Sequence, residues 1–330
     1  MNEPKSARYQ RLRRRARLAE IGAAAAWLAV ATFVPVSPWL LLAVAFFWEA
    51  VLHLREMPIR IGVALGGVSL MLIAMAAAGP WWWLAAGAAF SCAGIAAARL
   101  APALLVRLAA TRPVERRTLM AGLREIARRS GVHVSDILEW RVEEGARPTA
   151  LVTGLGSRCR VFVSAEILRD WSDDEIAVVV AHELAHHVHH DLWRTLALNA
   201  VVLSAAFWTA EAARAAWLGA SAGSLAGNVA ALPGIALVAG VVWLLGTPLR
   251  LAQSRAHERS ADRFALRLTG EARAFRAAVQ RLSERHLAEL EPPALVRWFF
   301  HRHPPVAERL ALAETFISGS SISDSSAARR

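Results

Sequence analysis

The stretch SDDEIAVVVAHELAH, residues 172–186, decides the reading of this chain. Ser172-Asp-Asp-Glu175 has the form of a capping box, and an apolar run from Ile176 to Ala181 follows it. A helix is therefore predicted from about residue 173 to 192. On a helix His182 and His186 project from one face, four residues apart, and both imidazoles can bind a single ion. Glu183 stands one position round, where it can reach a metal-bound water without becoming a ligand. Zinc would bring the pKa of that water towards about 7, and Glu183 would take its proton as the water attacks a peptide carbonyl. Ala-rich helices bearing Glu and His produce the same letters by chance, but such groups seldom sit within so apolar a sequence. His187, His189 and His190 read as solvated or supporting residues.

A catalytic zinc needs a third protein ligand and an open position. A second predicted helix, 250–269, offers Glu258 and Asp262, again four apart on one face. With Glu258 as ligand, Asp262 suits a supporting role, accepting the free N–H of a ligating histidine and fixing its tautomer. The alternative is that Glu258 pairs with Arg255 or Arg259 on a charged surface.

The rest of the chain points to a membrane. Of 330 residues 55% are hydrophobic, against roughly 45–50% in soluble domains, and the mean hydropathy is +0.35. About six apolar segments stand out, at 21–34, 38–54, 59–78, 80–98, 196–218 and 229–249. Several approach the roughly 20 residues a helix needs to span a bilayer. Trp81, Trp82 and Trp83 fall at the turn between the third and fourth, as in an aromatic belt. The net charge is +11, carried almost wholly by Arg, with Lys5 the one Lys. The Arg residues cluster in loops at 8–17, 55–60 and 99–117, while the turns at 35–38, 79–80 and 219–228 carry no charge. By the positive-inside rule the basic loops are cytoplasmic, and both ligand-bearing helices then fall on that side. This placement explains the basic charge without a nucleic-acid partner, and no DNA-reading motif or single-strand platform is present. The basic leader, apolar run and Ala29-Val-Ala31 also fit a cleavable signal peptide, which would leave the orientation unchanged. Glu211 and Arg214 interrupt the fifth segment. Each would cost roughly 2.5–3.5 kcal/mol at mid-bilayer, so they either pair at i,i+3 near the interface or mark a segment that only dips into the membrane. Cys92 and Cys159 read as free thiols in a reducing compartment.

The fold class expected is an α-helical membrane protein with an α+β zincin-like (gluzincin) catalytic domain. Residues 1–106 form a basic leader and four-span module. Residues 107–317 form the catalytic domain, interrupted by a membrane hairpin at about 196–249, and 318–330 is a Ser-rich disordered tail. Within the catalytic domain a helix is predicted at 114–130 and strands at 137–142, 149–154 and 159–164. A Gly-Leu-Gly-Ser turn lies between the last two strands. Helices at 271–290 and 305–316 complete it.

Three blocks together resemble the HtpX and CAAX-prenyl-protease family of membrane zinc endopeptidases, over about residues 115–315. They are Ala181-His-Glu-Leu-Ala-His186 with Asp191 five beyond, Ser254-Arg-Ala-His-Glu-Arg-Ser-Ala-Asp262, and His303-Pro-Pro-Val-Ala-Glu-Arg309. The resemblance implies Glu258 as third zinc ligand and Asp262 as its supporting residue. It implies that His303 and Arg309 stabilise the oxyanion or organise the cleft; as a plain alternative, His303 begins a helix. Members commonly carry Asn-Ala where this chain has Thr149-Ala150. The strand Thr149, Ala150, Val152 is the candidate site for an extended substrate, and a Thr hydroxyl anchors less than an Asn amide.

The expected function is that of a multi-pass cell-membrane endopeptidase holding one Zn2+. It would act at the cytoplasmic face on membrane-associated or unfolded protein chains, with membrane lipids as further partners. Two other readings are a sensor protease that cuts a repressor-like partner, and a zinc-stabilised membrane scaffold without turnover. Glu183 argues against the scaffold, because a structural site needs no base beside its first histidine.

Overall fold

The computed structural model describes residues 5–33, 57–108, 111–141, 150–154, 159–218 and 225–327. The expected segment at 38–54 and Thr149 lie outside them. Twelve helices and four strands follow one another among the described residues: α1 Lys5–Phe33, α2 Met57–Ala78, α3 Trp82–Leu108, β1 Thr111–Pro113, α4 Arg117–Ser130, β2 Val134–Trp140, β3 Ala150–Thr153, β4 Cys159–Ser164, α5 Ala165–Asp170, α6 Asp173–Val188, α7 Asp191–Leu218, α8 Leu225–Leu245, α9 Thr247–Thr269, α10 Ala272–Arg285, α11 Ala294–Phe300 and α12 Val306–Ala327. They fall into two compact units. One comprises Met1–Arg14, Ile95–Thr195 and Pro248–Arg330, the other Arg15–Gly94 and Leu196–Thr247.

The first unit is built on a four-stranded mixed sheet in the order β1-β2-β4-β3. β2 and β4 run parallel, with Leu138 opposite Phe162. The outer pairs are antiparallel, and Val152 of β3 lies opposite Val161 of β4. Val161, Phe162 and Val163 are all buried, so β4 is the covered centre of the sheet. Against it pack Leu119 and Leu123 of α4, Ile176, Val180 and Leu184 of α6, Leu266 of α9 and Phe275 of α10. The amphipathic helix α4 ends where expected, at Gly131 in the left-handed region (φ 74°). The short strand β1 and the helix α11 were not foreseen; three and seven residues carry too little periodicity to be read.

α6 begins with the predicted capping box. Ser172 Oγ accepts from Glu175 N, and Glu175 Oε2 accepts from Ser172 N at 2.9 Å. Arg116 and Thr118 of the preceding segment hold Asp173, and Arg281 of α10 lies 3.1 Å from Glu175 Oε1. The single helix expected from 173 to 192 is broken. α6 stops at Val188, His190 takes a left-handed conformation (φ 55°), and α7 starts at Asp191. α12 continues to Ala327 through most of the stretch expected to lack order, with no Pro to stop it.

The second unit is helical. α2 and α3 meet through a short 3-10 turn, Gly79–Trp81, where Gly79 has φ 52°. A Cβ on Gly67 would lie 3.6 Å from the Phe90 ring. Residues at comparable distances on either side of the turn are therefore close, and the two helices form an antiparallel hairpin. α3 runs on past the expected limit at 98, through Pro102, to Leu108. Among the described residues three stretches are long and apolar enough to cross a membrane, Ser6–Phe33, Leu65–Arg107 and Asp191–Trp217. A fourth is formed if Val229–Leu245 and Thr247–Thr269, bent by 43°, count as one span. Leu65–Arg107 is the α2–α3 hairpin, because 43 residues of straight helix would reach about 65 Å, twice the roughly 30 Å hydrocarbon core.

Glu211 and Arg214 pair at i,i+3, with Arg214 Nε and Nη2 donating at 2.6 and 2.8 Å. Trp82 Nε1 donates to the same carboxylate at 2.6 Å. The charges are matched inside the bundle, the arrangement that makes ionised side chains tolerable there. Glycines allow close helix approach. A Cβ on Gly234 would run into the Trp217 ring and lie 3.2 Å from Thr32. We expect Gly234→Leu to force these helices apart and to lower the thermal midpoint of the detergent-solubilised protein, followed by Trp fluorescence. Ser172→Ala should cost about 1 kcal/mol by loss of the α6 cap.

Candidate active site

Every residue of the candidate metal and catalytic sets lies in the sheet-containing unit. α6 supplies His182, Glu183 and His186 from its last turns, where the helix is pinned between the sheet and α10. α9 supplies Glu258 and Asp262, both buried. The segment between α11 and α12 supplies His303, and the first turn of α12 supplies Arg309.

His182, His186 and Glu258 each offer one ligand atom, and these atoms lie within 4.8 Å of one another. His182 Nε2 is 3.3 Å from Glu258 Oε2, and His186 Nε2 is 3.8 Å from Oε1. Two tetrahedral ligands about 2.1 Å from one ion stand roughly 3.4 Å apart, so the spacing suits a shared metal. Glu258 Oε2 is also buried without an aligned hydrogen-bond donor. A cation would satisfy it. The donor set of two imidazoles and a carboxylate thus fits a metal of the zinc kind.

The other imidazole nitrogens face acids. His182 Nδ1 lies 2.9 Å from Asp262 Oδ1, close enough for an ion pair although not aligned as a hydrogen bond. His186 Nδ1 lies 2.8 Å from Asp191 Oδ2. Each acid turns its ring so that Nε2 points toward Glu258, which is how carboxylates commonly orient metal-binding histidines. Asp262 is in turn held by Arg309, whose Nε and Nη2 donate at 2.8 and 2.6 Å. Burial opposes the charge on Asp262, but Arg309 and His182 outweigh it and bring its pKa down to about 2. Burial likewise opposes an imidazolium at His182, yet Asp262 and Glu258 raise it to about 10. Without a metal, a proton on His182 balances these carboxylates; a divalent cation would take over that balance.

Glu183 is half-buried beside the cluster. Burial raises its carboxyl above the usual range, and the His182 and His186 charges pull the other way. His303 is exposed on one side, and its Nδ1 lies 2.8 Å from Glu258 Oε2. Arg309 is brought to Asp262, one residue removed from the ligand atoms.

Two supporting residues had no role in the sequence reading. Asp191 was noted only as part of a motif. Its approach to His186 depends on the chain reversal at His190, which residue spacing does not announce. His257 Nε2 lies 3.5 Å from the other oxygen of Asp191. Of the additional histidines, His187 joins α6 to the sheet. Its Nε2 lies 3.4 Å from Val152 O and its Nδ1 3.5 Å from Cys159 Sγ. A neutral ring protonated at Nε2 satisfies both, with the thiol donating to Nδ1. His189 packs edge-on against Phe264. Ala150 and Val152 lie on β3, the last strand in the sheet order and so an edge strand.

Paired histidines one turn apart on a helix, a glutamate between them and a carboxylate from a second helix form the donor set of the HExxH metallopeptidases. Residues 113–316 match the family model described as Peptidase family M48. The chain belongs to that family. An uncharacterized metalloprotease of Bacillus subtilis, YhfN, is 30% identical over 207 residues, covering 61% of this chain and 49% of its own length. A protease HtpX homolog of Nostoc punctiforme is 40% identical over 124 residues, covering 37% of this chain and 42% of its own length. The chain therefore spans less than half the length of each of these two relatives. A protease HtpX homolog of Acidiphilium cryptum is 26% identical over 282 residues, covering 77% of this chain and 94% of its own length. The crystal structure of S. mikatae Ste24p shares the fold, with a TM-score of 0.68 at 17% identity, covering 82% of this chain and 67% of that one.

Asp191→Asn keeps the shape but removes the charge that orients His186. We expect metal affinity to fall about 10–100-fold, read as faster loss of bound metal to a chelator.

Proposed function

We propose that this chain is a multi-pass membrane zinc endopeptidase that cuts membrane-associated or unfolded protein chains at the cytoplasmic face. The observation that carries this reading is the convergence of His182, His186 and Glu258 beside the half-buried Glu183. The names of the relatives, protease and metalloprotease, agree with it. The domain of residues 107–317, interrupted by the apolar hairpin at about 196–249, would carry the chemistry and 1–106 most of the membrane anchoring. The uncharged turns and Arg-rich segments of the sequence support the cytoplasmic side.

One Zn2+ would be held by His182 Nε2, His186 Nε2 and a Glu258 oxygen. When bound it supplies Lewis acidity, which polarises a carbonyl and makes a water acidic enough to ionise near neutral pH. Glu183 accepts the proton of the attacking water; its raised basicity suits that task. The proton then passes to the departing amine as the peptide bond breaks. Asp262 and Asp191 hold the two imidazoles in register, and Arg309 keeps Asp262 ionised and fixed. His303, exposed at the mouth beside Glu258, is placed to donate a hydrogen bond to the oxyanion that develops on the carbonyl.

An extended substrate would add to the β3 edge along Ala150 and Val152. Backbone pairing of this kind gives affinity with little sequence preference, which suits unfolded chains. Membrane lipids would surround the apolar helices, and no feature calls for nucleic acid.

Glu183→Gln should retain zinc by elemental analysis and lose proteolysis of a casein-like substrate by about 10²–10⁴-fold, the usual contribution of a general base. Equal activity of the two forms would overturn the assignment of the base. Strict selectivity for one prenylated peptide would overturn the broad-substrate reading.

A further inference from the structure

The segment Leu287–Phe299 carries an apolar surface that the site does not use. α11 buries none of its residues. Leu295, Trp298 and Phe299, at i, i+3 and i+4, share one face and are 77%, 52% and 41% exposed. Leu287 and Leu290 in the preceding loop are exposed as well. So many large apolar side chains in so short a segment mark an interaction surface.

Hydrogen bonds from two helices, α1 and α9, fix where this segment sits. From α1, Gln10 Nε2 donates to Leu287 O at 2.9 Å and Arg14 Nη1 to Glu289 Oε2 at 2.7 Å. The apolar half of α1 opens with Leu18 and Ile21, the latter roughly 10 Å along the helix from Arg14. From α9, Arg255 Nη1 donates to the carbonyls of Arg297 and His301 at 2.9 and 2.8 Å. Arg255 stands about 9 Å along the helix from Leu249, an exposed apolar residue where the chain leaves the α8 span. The headgroup layer on each side of a bilayer is roughly 5–7 Å deep, and side chains reach some way further. Two helices far apart in sequence thus tether the same short stretch, each close to where its own chain continues into an apolar run. The charge of the stretch agrees. Arg297 and Arg302 flank its apolar face, and Arg14 neutralises Glu289, leaving Glu291 as the exposed acid.

We propose that Leu287–Phe299 is an interfacial anchor lying in the headgroup layer of an anionic bilayer. Leu295, Trp298 and Phe299 face the acyl chains, and Arg297 and Arg302 meet lipid phosphates. This rests on reading the chain as a membrane protein, not on its proteolysis. The consequence for the site is direct. His303 follows the anchor and touches Glu258, so the mouth of the cleft is held at the bilayer surface. Chains emerging from the membrane meet Glu183 before those in bulk water.

The test uses the full chain with Cys92→Ser, because Cys159 is buried and inaccessible to labelling. Nitroxide labels are placed through Leu295→Cys or Trp298→Cys, and through Glu125→Cys on α4 as the water-facing control. Each protein is reconstituted in phosphatidylethanolamine–phosphatidylglycerol vesicles, and metal content equal to that of the unlabelled protein establishes folding. At 295 and 298, collisions with oxygen should exceed collisions with a water-soluble nickel chelate severalfold, with the order reversed at 125. Nickel access at 295 and 298 equal to that at 125 overturns the proposal, leaving the face in water. Poor access to both reagents also overturns it, because polypeptide then covers the face, either a second copy or a bound substrate. The readout needs no turnover. An inactive protein with lipid-facing labels would sink the protease reading and leave the anchor standing.

Discussion

Burying His182, Glu258 and Asp262 between apolar helices carries a desolvation cost that only complementary charge can offset. That requirement organises the sheet-containing unit. Asp262 is nearly inaccessible and tolerable only because Arg309 meets it with two donors and His182 faces it as an ion-pair partner. His182 in turn lies between Asp262 and Glu258. α6, α9 and α12 are thus joined by one charge network, and removing any single member leaves another buried and uncompensated. The arrangement also leaves Glu258 Oε2 buried without an aligned hydrogen bond, a place a metal cation would suit.

The scaffold around this network is apolar and rigid. Ile176, Val180 and Leu184 bury one face of α6 against β4 and α10, so the histidines of its last turns project from a fixed helix. The capping box and Arg281 hold one end. At the other, the left-handed His190 turns the chain back and brings Asp191 to His186. His187 ties the same helix to β3 and β4. The candidate substrate edge and the candidate base therefore belong to one packed body. Peptide hydrolysis needs that, since reacting groups must be held to within fractions of an ångström.

The chain reaches this unit in three separate pieces, with apolar helices in between. In the second unit Glu211 and Arg214 lie among apolar side chains and pair with each other and with Trp82. The i,i+3 spacing showed that they could pair. It could not show that Trp82, on another helix, completes the carboxylate's hydrogen bonding.

Much of the architecture was legible because it rests on local physics. The cap at Ser172, the stop at Gly131, the i,i+4 pairs at His182/His186 and Glu258/Asp262 and the apolar lengths of the helices depend on residues a turn or two apart, and periodicity reports them. Other features depend on contacts between residues distant in sequence. The break at His190 wins over a continuous helix only where Asp191 finds His186 and His257. β1 is a strand only because β2 is there to pair with it. α11 lies against this unit because Arg255 holds its carbonyls. The sequence by itself determined which side chains could bind a metal and which segments could enter a membrane. Tertiary structure alone decided that Glu258 meets both histidines, that Asp191 and Arg309 hold the acids and imidazoles in place, and that an exposed Leu-Trp-Phe face is carried beside them, because those outcomes are set by long-range packing and charge compensation.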